Sequence, residues 1–246
     1  MKKTLFTLAM LSAAILFAGS VKADTITAVV GGSAESGAIY VNFDSLPALQ
    51  NAPYTSGALT VDFGGASVTA DSANTAGSNP PLLSGNNNLY FGSIYSGGDN
   101  TTYLADGNQG QNGTITFNFS SAQNYFGLLW GSVDANNTLT FYSGLNGTGS
   151  VINTVTGAEL NTINPVVAQT GFGDQYDPWG TAYANVNTIA TFQSVVATTG
   201  TFTFEIDNVA YALVPVPEPA SMGILLLAGL SSLVLIGKNW RKQTVR

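Results

Sequence analysis

The chain has 246 residues, enough for one sizeable domain; 45% are hydrophobic, only 9% are charged, and the formal net charge is −7. It contains no histidine and no cysteine. Those absences exclude an imidazole base, a Ser-His-Asp arrangement, an ordinary zinc site, a thiolate nucleophile and a disulfide framework.

Met1-Lys2-Lys3 is a charged start and Leu5 to Ala18 an apolar core, followed by Val21-Lys22-Ala23. This is the pattern of a secretory signal peptide cut after Ala23, giving a first segment of 1–23. All seven basic residues are Lys2, Lys3, Lys22, Lys238, Arg241, Lys242 and Arg246. The span 24–214 therefore has no cation, yet it holds thirteen of the fourteen acidic residues. No phosphate clamp can form there, and nucleic acid is repelled. No salt bridge can form within it either, so burial and backbone hydrogen bonds must hold the domain. At about 190 residues that is feasible.

Along that span the chain alternates at period two. Ile39, Val41 and Phe43 predict one strand, Leu59, Val61 and Phe63 a second, and Ile115, Phe117 and Phe119 a third, with Thr114, Thr116 and Asn118 on the wet face. Tyr125 to Trp130 is apolar on both faces and predicts a central strand. Leu139 and Phe141 alternate with Thr138, Thr140 and Tyr142, and Asn146-Gly147 predicts a hairpin turn to a strand at 149–155. Phe202, Phe204 and Ile206 face one way, then Val209, Tyr211 and Leu213 the other, which predicts a bulge at Asp207-Asn208. No helical periodicity of useful length occurs between the termini. The expectation is an all-β fold, an antiparallel β-sandwich, jelly-roll-like, of ten to twelve strands over 24–214.

Two loops carry candidate chemistry. Gly171 to Gly180 combines Phe172, Tyr176 and Trp179, whose faces suit stacking on sugar rings, with Asp174 and Asp177, which suit calcium. The same loop also reads as a structural cover for one end of a sandwich. Asp99-Asn100 and Asp106-Gly107-Asn108 read as turns. Glu205 and Asp207 share a strand face only if the bulge spares their register. Five Asn-x-Ser/Thr sequons occur, at Asn100, Asn112, Asn118, Asn136 and Asn146; in so Asn- and Thr-rich a chain chance explains most of them, and glycosylation is not implied.

The segment 215–246 closes the chain. Val216, Pro217, Glu218, Pro219, Ala220 and Ser221 lead directly into an uncharged stretch and then the basic tail Lys238, Arg241, Lys242 and Arg246. As a helix, 222–237 is a membrane span slightly short of a hydrocarbon core of roughly 30 Å, and the basic tail holds its end cytoplasmic. Pro217 and Pro219 keep the preceding chain extended.

Motif, span and basic tail together resemble the PEP-CTERM sorting signal of exosortase-dependent bacterial surface proteins. The resemblance implies export, signal peptidase and exosortase as processing enzymes, recognition of Pro217-Glu218-Pro219, and removal of the helix and tail. Tyr125 to Asp134 with Asn137 to Tyr142 resembles a core motif of one subgroup of such proteins. Phe204 to Tyr211 is similar to the closing strand of their ectodomains and of jelly-roll carbohydrate-binding modules, some of which hold a structural calcium on an Asp near this place.

The expected function is a non-enzymatic surface or matrix protein, structural or adhesive, in an exopolysaccharide or biofilm layer. The alternatives are a carbohydrate-binding module, with or without calcium, and a carboxylate-based glycoside hydrolase.

Overall fold

Alternation of apolar and polar residues, with β-branched side chains on the wet positions, makes strands wherever one face finds a core. A computed structural model describes residues 23–29, 32–70, 81, 102–107, 111–131, 133–165, 181–200 and 203–213. Among them are eleven strands: β1 (Thr25–Val29), β2 (Ile39–Val41), β3 (Tyr54–Ser56), β4 (Leu59–Gly65), β5 (Val68–Ala70), β6 (Tyr103–Asp106), β7 (Gly113–Gly131), β8 (Thr138–Tyr142), β9 (Val151–Thr156), β10 (Ala182–Thr198) and β11 (Phe204–Ala212). All strand pairings are antiparallel. Among the described residues there is one helix, α1 (Gly157–Ile163), which follows β9.

The all-β antiparallel expectation is met. β7 and β10, of 19 and 17 residues, pair with each other along most of their length. Their pairing breaks register between Asn187 and Ser194, opposite exposed Ser120 and Ser121. A bulge there bends both strands and divides the sheet into two leaves.

In the lower leaf the order is β3, β4, the first half of β7, the second half of β10, β8 and β9. In the upper leaf, the second half of β7 lies between β11 and the first half of β10. There β1 edges β10, while β2 and β6 edge β11 and β5 edges β6.

The core lies between the leaves. Phe119 of the lower leaf meets Phe126 at 6.1 Å and Tyr211 at 5.1 Å, both from the upper leaf, and Phe141 meets Phe126 at 6.0 Å. Such tilted and edge-on contacts are the favourable arrangements for aromatic rings. Trp130 stacks at 4.3 Å on Phe204 beside them.

Two local expectations hold in detail. Asn146 takes φ 56° in the β8–β9 turn, and Asn208 takes φ 53° where the β11–β7 register shifts between Asp207 and Ala210. Two do not. Ile39 is exposed, because it starts a three-residue edge strand. The helix α1 is too short for periodicity to reveal it. Its signal is Thr156-Gly157-Ala158-Glu159, a capping-box sequence in which Thr156 Oγ1 accepts from the Glu159 amide at 3.1 Å. Leu160 then enters the core, and Asn164 Nδ2 donates to the Ala28 carbonyl at 3.0 Å, so α1 links β9 to β1.

Among the described residues no helix is long and apolar enough to cross a membrane. The expected span 222–237, the sorting motif 216–221 and the basic tail lie outside them, as do residues 1–22. Ala23 is exposed at the start of the described chain.

Candidate functional site

Two polar surfaces of the sheet carry the side chains with chemistry. The first is the outward side of the upper leaf, where Gly127 leaves room on β7 for the rings of Tyr125 and Tyr183. The Tyr125 hydroxyl donates to Asn185 Oδ1 at 2.6 Å and accepts from the Glu35 amide at 3.0 Å. Tyr183 donates to the Asn208 carbonyl at 2.9 Å, and the Asn208 amide donates to Asp207 Oδ1 at 2.7 Å.

Glu205, Ile206 and Asp207 pair in unbroken register with Gly131, Trp130 and Leu129. The bulge comes after Asp207, so Glu205 and Asp207 share a face, both buried. Burial, and then the carboxylate of Asp207, pushes the Tyr40 phenol far above its ordinary range. Burial does the same to Tyr183 and raises Tyr125 to about 12. These phenols are hydrogen-bond donors at neutral pH, so none is a base. Among the described residues no three acidic side chains converge as a metal donor set.

The second surface is the outward side of the lower leaf. Register sets three rows across its strands. Thr114 of β7, Thr198 of β10 and Thr138 of β8 form one row. Thr116, Val196, Thr140 and Thr154 form the next, with Asp62 of β4 at its end. The third is Thr60, Asn118, Ser194 and Tyr142.

The hairpin tip between β8 and β9 folds over this third row. Ser194 Oγ donates to the Gly144 carbonyl at 2.6 Å and accepts from the Gly147 amide at 3.0 Å. Asn118 bonds to Asn146 and, through Nδ2, to Asp62 Oδ2 at 2.8 Å. The result is a floor of threonines with a wall along one side. Thr114, Thr116, Thr138 and Thr140 are part-exposed and Thr154 is exposed. On the wall Leu145 keeps 43% of its surface in solvent.

A third feature lies at the end of β6. Asp106, expected in a surface turn, is wholly buried; its Oδ1 accepts from Ser67 Oγ at 2.8 Å and its Oδ2 has no hydrogen-bond partner. Burial raises its carboxyl to about 7, against the lowering effect of the Ser67 hydroxyl.

Of the candidates chosen from sequence, Phe172, Asp174, Tyr176, Asp177 and Trp179 lie outside the described residues, as does Asp99. The threonine floor was not picked out. Its signal is the repeated Thr-x-Thr of 114–116, 138–140 and 154–156, visible as wet strand positions but not as neighbours.

No protein-family model matches the chain, and no curated protein matches it. Among solved structures it is similar to the K2 cleaved adhesin domain of Lys-gingipain, at 9% identity and a TM-score of 0.41, covering 73% of this chain and all of that one. That likeness is too slight to transfer fold or function.

Proposed function

We propose that the chain is an exported protein of the cell surface or extracellular matrix, with 24–214 as its structural or adhesive body. The observation that carries this reading is the segregation of charge. All seven cations sit in the two terminal segments, each beside an apolar stretch, and none lies between. Cations flanking apolar segments orient and stop membrane insertion, the role that this distribution supports.

On this reading Ala23 is the signal peptidase site and Pro217-Glu218-Pro219 the exosortase recognition element. The span 222–237 and its basic tail hold the chain in the membrane until processing. The domain itself is a body and a contact surface, to which we assign no reaction. The half-buried Tyr40 and the buried Tyr183 hold their protons, and Glu205 and Asp207 lie below the surface of the fold.

The test replaces Pro217, Glu218 and Pro219 with alanine in the native host. The variant is expected to accumulate in the membrane at its full C-terminal length while the natural sequence is shortened and reaches the surface. Equal processing and equal release of the two would sink the proposal.

A further inference from the structure

The threonine floor of the lower leaf has a geometry that its composition alone does not require. Three strands bring Thr114, Thr198 and Thr138 into one row, and Thr116, Thr140 and Thr154 lie in the next around Val196. Neighbouring strands stand about 4.8 Å apart and alternate residues about 6.8 Å apart along a strand, so hydroxyl and methyl groups repeat in two directions. Each threonine is stiff at χ1, so little side-chain freedom is lost on contact.

From this we infer that the floor is a docking surface for a neutral, extended polysaccharide, laid beside the wall formed by Leu145, Asn146 and Gly147. The inference rests on the matrix reading above and names the partner class and the contact face.

Charge selects the partner. Between 24 and 214 there is no cation and thirteen acids, so polysaccharides carrying uronate or sulfate are repelled. Among the described residues of the floor there is a single carboxylate, Asp62, and its Oδ2 is engaged by Asn118. From Ala135 to Ala158, the whole of the β8–β9 hairpin, there is no charged residue. Neutral sugar hydroxyls both donate and accept, as threonine hydroxyls do. The methyl groups meet the C–H faces of the ring.

Repetition supplies the strength. One hydroxyl pair gains little net of water, so a short oligosaccharide binds weakly. A polymer that engages successive threonines binds each further one at high effective concentration. Aromatic stacking is not needed, and among the described residues of the floor only Tyr142 offers it.

The test uses the purified span 24–214, a compact unit by itself and free of the seven cations, and three probes: insoluble neutral β-glucan, a soluble hexasaccharide of the same glucan, and alginate. The variant Thr116→Val/Thr138→Val/Thr140→Val keeps the branched shape that Val196 already shows this face accepts, and its thermal transition reports intact folding. The natural sequence is expected to sediment with the glucan, in low and high salt alike, and not with alginate. The hexasaccharide is expected to compete poorly, and the variant to bind about tenfold or more weakly.

Equal binding by the folded variant, preference for alginate, or sedimentation with neither polymer would overturn the inference. A protein found in the matrix that ignores neutral glucan defeats this inference alone. A protein that binds glucan but never leaves the cell defeats the sorting proposal alone.

Discussion

Asn118 and Asn146 clasp each other across 28 residues of sequence. The Asn146 amide donates to Asn118 Oδ1 at 2.7 Å, and Asn118 Nδ2 returns a bond to Asn146 Oδ1 at 3.0 Å. The clasp holds the hairpin tip against the sheet, with Asn146 in the left-handed region that Asn tolerates better than most residues. Asn118→Ala breaks it and strands the Asp62 carboxylate as well. The expected loss is about 1–3 kcal/mol in urea unfolding, together with faster hydrogen exchange at the Asn146 amide. Unchanged protection of that amide would show that the tip is held by Ser194 alone. The sequon at Asn118 is closed to glycosylation in the folded chain by the same bonds.

Asp106 makes stability depend on pH in an uncommon direction. Its carboxyl is raised from the ordinary 3.8 to about 7 by burial, with no cation in the domain to oppose the shift. The folded state therefore keeps a proton that the unfolded chain releases near pH 4. Its contribution is full below about pH 4, declines as pH rises, and has gone above about pH 7. Asp134, raised to about 6 by burial, acts in the same sense over a narrower window. Melting temperature should fall from pH 4 to pH 7, by a stability change on the order of 1–3 kcal/mol at Asp106. Asp106→Asn, which stays neutral, should remove most of that fall. A melting temperature that rises over the same interval would contradict this.

Gly157 opens α1 where its backbone passes against the Asp134 carbonyl, and an added Cβ would collide with that oxygen. Helix propensity alone predicts a gain of about 1 kcal/mol for Gly157→Ala. The close approach predicts a loss of about 2–4 kcal/mol instead, because both colliding partners are held by backbone. The sign of the change in unfolding free energy decides between them.

Phe119 ties the leaves together through Phe126, Phe192 and Tyr211, with ring centroids between 5.1 and 6.1 Å. Phe119→Ala should cost about 3–5 kcal/mol by opening a cavity between the leaves. A loss below about 1 kcal/mol would mean that the leaves do not depend on this contact.

The strands were legible because each buries one face and wets the other, as at Ile115, Phe117 and Phe119. The central strand was legible from Tyr125 to Trp130, apolar on both sides. That two predicted strands at 115–119 and 125–130 are halves of one bent β7 was not, because the polar run from Ser120 to Asn124 interrupts the apolar alternation between them. The threonine floor was hidden for a related reason. Periodicity tells which way Thr116 and Thr140 face, but only the β7–β10–β8 register makes them neighbours of Val196. Asp106 looked like a turn residue because Asp-Gly is a turn sequence, and nothing local signals that Ser67, 39 positions earlier, meets it in the interior.

Export with shortening at both ends leaves a mature chain of defined termini. The most direct measurement is the intact mass and terminal peptides of the protein recovered from the surface and matrix fraction of its native host. The expected chain begins near Asp24 and ends at or near Pro217-Glu218-Pro219, without Lys238 to Arg246. A chain recovered from the cytoplasm, complete from its first residues to Arg246, would contradict it.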